Sequence, residues 1–242
     1  MSEQNPEQIA SNYQRVRAEI DAAAEHAGRD PAAVRLVVVT KGHPIETLQA
    51  VLAAGAQYLG ESYLDEAQAK VQTLGRDAAE WHMIGHVQSR KARGVCEHFS
   101  WVQSLDSLKL ARRYSGFAQE LGLDLQVLLQ VNVSGEASKS GWPLWDQSRW
   151  PDWHAEVAEL TNLPNLQVRG LMTMPPYHPD PQLSRPYFRR MVRLQAHLAA
   201  EFPATDWSEL SMGMSGDYAV AVEDGATIVR VGTAIVGSRS YS

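Results

Sequence analysis

The sequence predicts a single (β/α)8 TIM barrel with one extra helix at its N-terminal end, and three observations predict it. Short β-rich runs alternate with longer helical ones over almost the whole chain, eight strand runs can be counted, and successive runs are spaced too widely for hairpins. Such spacing calls for parallel pairing through right-handed crossovers. A barrel of this kind takes about 250 residues, and roughly 200 at least. The 242 residues here suffice for one barrel, so one domain over 1–242 is expected. A doubly wound open sheet competes, but Thr40-Lys41-Gly42-His43-Pro44 after the first strong strand lacks the G-x-G-x-x-G pattern of that architecture.

Taken in order, a leading helix is expected over roughly 9–27. Arg35-Leu36-Val37-Val38-Val39-Thr40 is a nearly unbroken β-branched run, the pattern of a strand buried on both faces, and it ends at Lys41. Pro44 suits a helix start, and Ile45, Leu48, Val51 and Leu52 mark one helical face up to Gly55. A strand at Gln57-Tyr58-Leu59, a helix over about 63–74, a strand at His82-Met83-Ile84, a helix near Ser89 and a strand at Trp101-Val102-Gln103 follow. Asp106 is the expected N-cap of a helix that carries Leu108, Leu110, Ala111 and Phe117 and stops near Gly122. A second strong strand covers 125–133. The one compositional break lies at 141–154, where Trp142, Trp145, Trp150 and Trp153 interleave with Pro143 and Pro151; a loop leading into a helix is expected there. A strand over 167–174, a helix over 184–201 with Phe188, Met191, Val192 and Leu194 inward, a strand over 207–211 and a last strand over 227–236 complete the eight.

Composition narrows the partners. Twenty-two Lys plus Arg against 28 Asp plus Glu leave a formal charge of −6, so there is no global positive field for nucleic acid or anionic lipid, and a small soluble partner is expected. Cys96 is the sole cysteine, which excludes an intramolecular disulfide and suits a reducing compartment. The polar start Met1-Ser2-Glu3-Gln4-Asn5-Pro6-Glu7 does not read as a secretory signal, and no apolar stretch approaches a membrane-spanning length. A soluble, cytoplasmic protein is expected. His82 and His86 share the i, i+4 spacing that puts two ligands on one face only in a helix, whereas this segment reads as strand then turn. No carboxylate or cysteine cluster completes a set, so no metal is expected. The basic runs Arg90, Lys91, Arg93 and Arg185, Arg189, Arg190, Arg193 read as solvated helix faces.

In a barrel, chemistry belongs to the C-terminal ends of the strands. Those ends carry Lys41, Gly60-Glu61-Ser62-Tyr63, Gly85-His86, Asn132 and Ser134, Met172 and Met174, Ser211-Met212-Gly213-Met214-Ser215-Gly216-Asp217, and Arg230, Gly232 and Thr233. An ammonium at the mouth of an all-apolar strand is partly desolvated, which lowers the pKa of Lys41 and would let the neutral amine condense with an aldehyde. A lysine that ends a strand and snorkels to water is the plain alternative. The 211–215 loop, with Gly216 freeing the backbone and Asp217 near a helix start, reads either as an anion site or as an ordinary cap. Position favours the first, because phosphate sites in such barrels form from the loops after the seventh and eighth strands, where Gly232 and Thr233 lie. Arg230 points either into the barrel, where it needs an acceptor, or outward to a structural salt bridge with a neighbouring strand's carboxylate.

A lysine for an aldehyde, a phosphate cradle opposite and an arginine able to face a heteroaromatic nitrogen describe a pocket for pyridoxal 5′-phosphate. Val38-Val39-Thr40-Lys41, Leu59-Gly60-Glu61-Ser62-Tyr63, Trp81-His82-Met83-Ile84-Gly85-His86-Val87-Gln88, Gln130-Val131-Asn132-Val133-Ser134, Ser138-Lys139-Ser140-Gly141, Gly170-Leu171-Met172 and Ser211-Met212-Gly213-Met214-Ser215 follow in the order of one family. In these strings, spread over almost the whole chain, the sequence resembles the pyridoxal-phosphate homeostasis proteins, with their alanine racemase-like barrel. The resemblance implies that Lys41 holds the cofactor covalently as an internal aldimine, that Ser211, Ser215, Gly232 and Thr233 bind its phosphate, and that Arg230 faces the pyridine nitrogen. Asn132, Met172 and Met214 sit within the matching strings and are expected to contact the cofactor, although Met172, Met174, Met212 and Met214 also read as core gap-fillers. His86 either lines the pocket or is a buried structural histidine. Ser62 stands where the family has asparagine, which puts any contact from that amide in doubt.

Two function classes share this site. One is a carrier that holds pyridoxal phosphate reversibly for vitamin B6 and amino-acid homeostasis, with pyridoxal-phosphate-dependent apoenzymes as candidate recipients, and without turnover. The other is an amino-acid racemase, which needs an acid/base group on each face of the substrate; related racemases bring a tyrosine from an added domain of a dimer partner, and Tyr63 or Tyr177 would have to substitute. With the chain ending soon after the barrel, the carrier class and a monomer are expected. A Schiff-base aldolase acting on a phosphorylated sugar is the more distant alternative.

Overall fold

Branching at Cβ and the two-residue period of an extended chain account for the wall of the molecule. In a computed structural model that describes residues 5–137 and 139–238, the first run forms strand β1 (Arg35–Val39). Leu36 and Val38 pack outward among the helices, while Val37 faces inward with Trp101, Leu128, Met172 and Ile228. The remaining strands are β2 (Tyr58–Glu61), β3 (Glu80–Met83), β4 (Trp101–Leu105), β5 (Leu125–Asn132), β6 (Trp142–Pro143), β7 (Leu166–Thr173), β8 (Glu209–Ser211) and β9 (Ile228–Val231). Their spatial order is β4-β3-β2-β1-β9-β8-β7-β5, all parallel, and β4 pairs with β5 to close an eight-stranded barrel. The two-residue β6 joins the end of β5, Val131 opposite Trp142.

The helices bury apolar stripes against this wall. They are α1 (Pro6–His26), α2 (Ile45–Ala53), α3 (Leu64–Leu74), α4 (Ala92–His98), α5 (Leu108–Leu121), α6 (His154–Thr161), α7 (Arg185–Glu201), α8 (Tyr218–Glu223) and α9 (Thr233–Val236). The extra N-terminal helix α1 lies against α2, α8 and α9. Asn12 and Arg15 donate to the carbonyls of Ile235 and Ala234, tying α1 to the chain's last turn.

Several expectations are corrected. The cap of α5 is Ser107, whose hydroxyl accepts from the Leu110 amide at 3.4 Å, because the Asp106 carboxylate is taken by His86 Nδ1 at 2.8 Å. The last strand stops at Val231, and Thr233–Val236 turn into α9 despite their β-branched residues. Trp207 precedes β8 and belongs to the irregular stretch before it. Val192 is only partly buried on α7, whereas Phe188, Met191 and Leu194 are buried. In the tryptophan-rich segment, Trp142, Trp150 and Trp153 are buried and only Trp145 is exposed. Trp142 and Trp153 stand 5.2 Å apart, Trp150 donates to the Leu144 carbonyl, and a 3-10 stretch over Gln147–Trp153 leads into α6. The segment therefore packs as a satellite of the core. Residues 1–4 and Ser138, cited above in sequence motifs, lie outside the described residues.

Candidate functional site

The C-terminal ends of the strands surround two adjoining cavities, of about 300 and 580 Å³, that share Lys41, Ile84, Met174, Tyr177 and Met214. The smaller also takes in Ser215, Arg230, Gly232 and Thr233; the larger takes in Ser62, His86, Asn132 and Lys139. Lys41 thus stands on the wall common to both.

The backbone on either side of Lys41 is held by a buried ionic cluster behind the wall. On β1 the inward and outward positions alternate, so Thr40 points outward, and its hydroxyl donates to Glu61 Oε1 at 2.6 Å. Lys70, on α3, donates to the Thr40 carbonyl and to Glu61 at 2.8 Å, and to Glu66 at 2.5 Å. Glu66 in turn accepts from the Gly42 amide at 2.7 Å. Both chain neighbours of Lys41 are fixed this way. Burial pushes the Glu61 carboxyl above its ordinary range, against the pull of the Lys70 charge. Sequence reasoning missed Lys70 and Glu66, yet a signal existed: Lys70 falls at a buried stripe position of α3 beside Leu64, Ala67 and Val71, where an uncompensated ammonium would be costly.

Across the smaller cavity two loops converge. Gly213 takes φ +93°, and a Cβ there would stand 2.6 Å from that of Ala221, so this glycine, and not Gly216, is the one the turn requires. Asp217 accepts from the Met214 amide at 2.7 Å and closes the turn. The Ser215 hydroxyl accepts from the amides of Gly232 and Ala234 at 3.3 and 3.4 Å. Gly232 packs against β1, with only 3.2 Å between a notional Cβ and the Val39 carbonyl oxygen. Two backbone N–H groups therefore converge at long range on one hydroxyl oxygen beside the cavity, donors that would also suit an anion's oxygen.

Arg230 points inward and forms the floor. Its guanidinium donates to Ser211 Oγ at 2.5 Å and to the Thr173 carbonyl at 2.8 Å. Among the described residues no carboxylate lies within ion-pair distance of it, so the outward salt bridge is not what this arginine makes. Burial lowers its pKa to about 10, and the guanidinium stays charged at neutral pH.

Other expected site residues lie elsewhere in the barrel. Ser211 is fully buried beneath the cavity, its hydroxyl held between Arg230 and Gln103. Met172 packs in the interior layer with Val37 and Leu128, and Met174, two residues on, lines both cavities instead. Asn132 reaches the larger cavity, but its amide is occupied by its own loop: it donates to the carbonyls of Glu136 and Lys139 and accepts from the amides of Ser134 and Gly135. His86 lines the larger cavity with Asp106 behind it. His82 faces the barrel interior, away from His86, between Gln103 and Glu80. Cys96 is buried, and desolvation raises its thiol to about 12.

With this geometry in hand, similarity to known proteins is informative. The family described as "Alanine racemase, N-terminal domain" matches residues 11–240. The "Pyridoxal phosphate homeostasis protein" of Vibrio cholerae is 43% identical over 239 residues, covering 97% of this chain and 98% of its own. The chain belongs to the pyridoxal phosphate homeostasis family. The protein of the same name from Escherichia coli is 40% identical over 97% of this chain. Among solved structures, PipY of Synechococcus elongatus with pyridoxal phosphate bound superposes with a TM-score of 0.82 at 34% identity, over 95% of this chain and 100% of that one. An alanine racemase of Clostridium difficile shares the fold at a TM-score of 0.71 and 15% identity, with 58% of its length covered. No helix among the described residues is long and apolar enough to cross a membrane.

Proposed function

We propose that this member of the homeostasis family binds pyridoxal 5′-phosphate reversibly in the smaller cavity and releases it to recipient apoenzymes, without robust catalysis of its own. One observation carries the reading: Lys41, the Ser215–Gly232–Thr233 wall and the Arg230 guanidinium line a single cavity of about 300 Å³. The fit is chemical as well as steric. Lys41 supplies the amine that forms a carbon–nitrogen double bond with an aldehyde as water leaves. Ser215 and the amides near Gly232, Thr233 and Ala234 supply donors for a phosphate. Arg230 supplies a cationic donor toward a ring nitrogen, which keeps that nitrogen unprotonated and the ring a weak electron sink. Ser211, in this reading, holds Arg230 from below rather than binding phosphate. Met174, Met214 and Tyr177 line the same cavity, while Asn132 and His86 belong to the larger one, where an amino acid could approach the cofactor. Pyridoxal phosphate supplies a reactive aldehyde and an electron-withdrawing ring when bound; the protein's part is to store that reactivity as a cytoplasmic, monomeric carrier serving vitamin B6 and amino-acid pools.

A racemase is the second reading, favoured by the shared barrel and by Tyr177, a residue 83% exposed at the rim. An arginine floor and a mouth open to water both oppose carbanion chemistry. The test is titration of the purified chain with pyridoxal phosphate, followed by borohydride reduction and mass mapping. A yellow adduct on Lys41 that Lys41→Ala abolishes is expected; a colourless wild type would overturn the reading. Stereochemical inversion of an amino acid at high protein concentration would replace the carrier with the racemase.

A further inference from the structure

Among the described residues no carboxylate is within ion-pair distance of the buried Arg230, although the charge of Asp217 reaches it, and a continuous hydrogen-bond chain leads from it down the barrel axis. Its guanidinium donates to Ser211 Oγ at 2.5 Å, and Ser211 Oγ is 2.6 Å from Gln103 Oε1. Gln103 Nε2 is 2.9 Å from His82 Nδ1, and His82 Nε2 is 3.0 Å from Glu80 Oε1. Glu80 lies at the opposite mouth, its side chain 37% exposed. Chemistry fixes the direction of every link. Arginine has only donors, so the serine hydroxyl must accept from it and pass its own hydrogen to Gln103 Oε1. The glutamine then presents its amide hydrogen to His82 Nδ1, which must be unprotonated, and the remaining ring hydrogen on Nε2 goes to the carboxylate. Four side chains thus point their donors one way, from the Arg230 cation to the Glu80 carboxylate.

The nearer charges are Asp217 for Arg230 and Arg35 for Glu80, so the hydrogen-bond chain is what links these two groups. At the N-terminal mouth Arg35 is already paired with Glu209, which leaves Glu80 as the second carboxylate of that cluster. A one-way chain polarises its members cooperatively, each link strengthening the next. His82, stacked on Trp101 at 5.5 Å and edge-on to Tyr58, cannot rotate out of line.

We propose that Glu80 is the remote electrostatic partner of Arg230, and that Ser211, Gln103 and His82 relay its charge so that the guanidinium is held in one orientation toward the cofactor ring. Glu80, His82 and Gln103 are then positioning residues, acting through Arg230. The inference rests on pyridoxal phosphate occupying the cavity above Arg230.

The test is Glu80→Gln, a rim substitution that keeps shape and removes charge, in the full-length chain titrated with pyridoxal phosphate. Its dissociation constant should rise by about threefold to tenfold, the size of a weakened but unbroken charged hydrogen bond, and the visible absorbance band should move. In an Arg230→Gln background, or in Gln103→Leu if that background does not take up cofactor, Glu80→Gln should change neither quantity, because the relay has been cut. Equal effects of Glu80→Gln with and without an intact relay would overturn the proposal, as would an unchanged band and affinity in the single variant. If neither background folds, the single variant's band decides. A wild type that takes up no cofactor would instead strike the functional reading itself.

Discussion

The two mouths of the barrel are made by the same strands and treat their polar groups differently. At the N-terminal mouth Arg35 pairs with Glu209 and lies 5.0 Å over the Trp101 ring, Thr227 donates to Glu209 at 2.6 Å, and His82 and Glu80 complete each other. At the C-terminal mouth the amides of Gly232 and Ala234 reach Ser215 only at 3.3 and 3.4 Å, beside an open cavity. Short bonds serve stability, and the C-terminal mouth has them too where Asp217 and Asp106 are engaged. The long bonds to Ser215 are the ones a ligand's oxygens could replace at little cost, as a reversible site would need.

The largest effect should come where saturation supports the open end. Lys70→Met leaves Glu61 buried without its cation and releases the chain on both sides of Lys41; a loss of about 3–5 kcal/mol is expected, read by urea unfolding, together with weaker cofactor capture. A variant as stable as wild type would show the cluster to be dispensable. Next, Ser215→Ala should separate the two mouths. Folding stability should stay within about 0.5 kcal/mol, while affinity for pyridoxal phosphate falls about tenfold to a hundredfold for one charged hydrogen bond. Equal losses of stability and affinity would erase the distinction. The smallest effect concerns pH. Burial holds His82 below the ordinary imidazole value, opposed by Glu80, with Arg35 and Glu209 the other charges facing it. The unfolded chain takes up a proton below about pH 6.5 and the native ring resists it. The stability this neutral ring contributes is therefore present above that pH and is lost as pH falls from it toward the lower native value. His82→Gln should lose less stability than wild type between pH 7 and 5 in thermal melts; identical slopes would show that the native ring takes up its proton as readily as the unfolded one and is not held below the ordinary value.

Much of the wall was legible because parallel strands buried on both faces need nearly continuous apolar runs rich in Val and Leu, and β1 and β5 have them. What local pattern could not supply was depth along the barrel axis. Ser211 and Met172 both face inward as their period predicts, but strand stagger puts them below the cavity, whereas Met174 and Ser215 rise to it. Asp106 misled for a different reason: two adjacent residues could cap α5, and only a contact 20 positions away, with His86, decides between them. Thr233, Ile235 and Val236 read as strand because β propensity is local, while the turn at Gly232 against Val39 is tertiary. Lys41 could be placed at the mouth from its position at a strand end, whereas the inward direction of Arg230 was left open by the sequence. Their supports, Lys70 and the chain through Gln103, lie on other elements and surface only when those elements pack.

The three oxygens around Lys70 have a chemical corollary. An ammonium that donates to all of them has no lone pair to offer, so an electrophile passing behind the wall meets no nucleophile there. Lys91 is engaged by Asp65 and Lys139 by the Met174 carbonyl, and only five of the 22 basic residues are lysines at all. The remainder are guanidinium groups, which stay protonated at neutral pH and do not compete for a carbonyl. Few amines are therefore left to compete with the two, Lys41 and Lys139, that line the cavities at the C-terminal mouth.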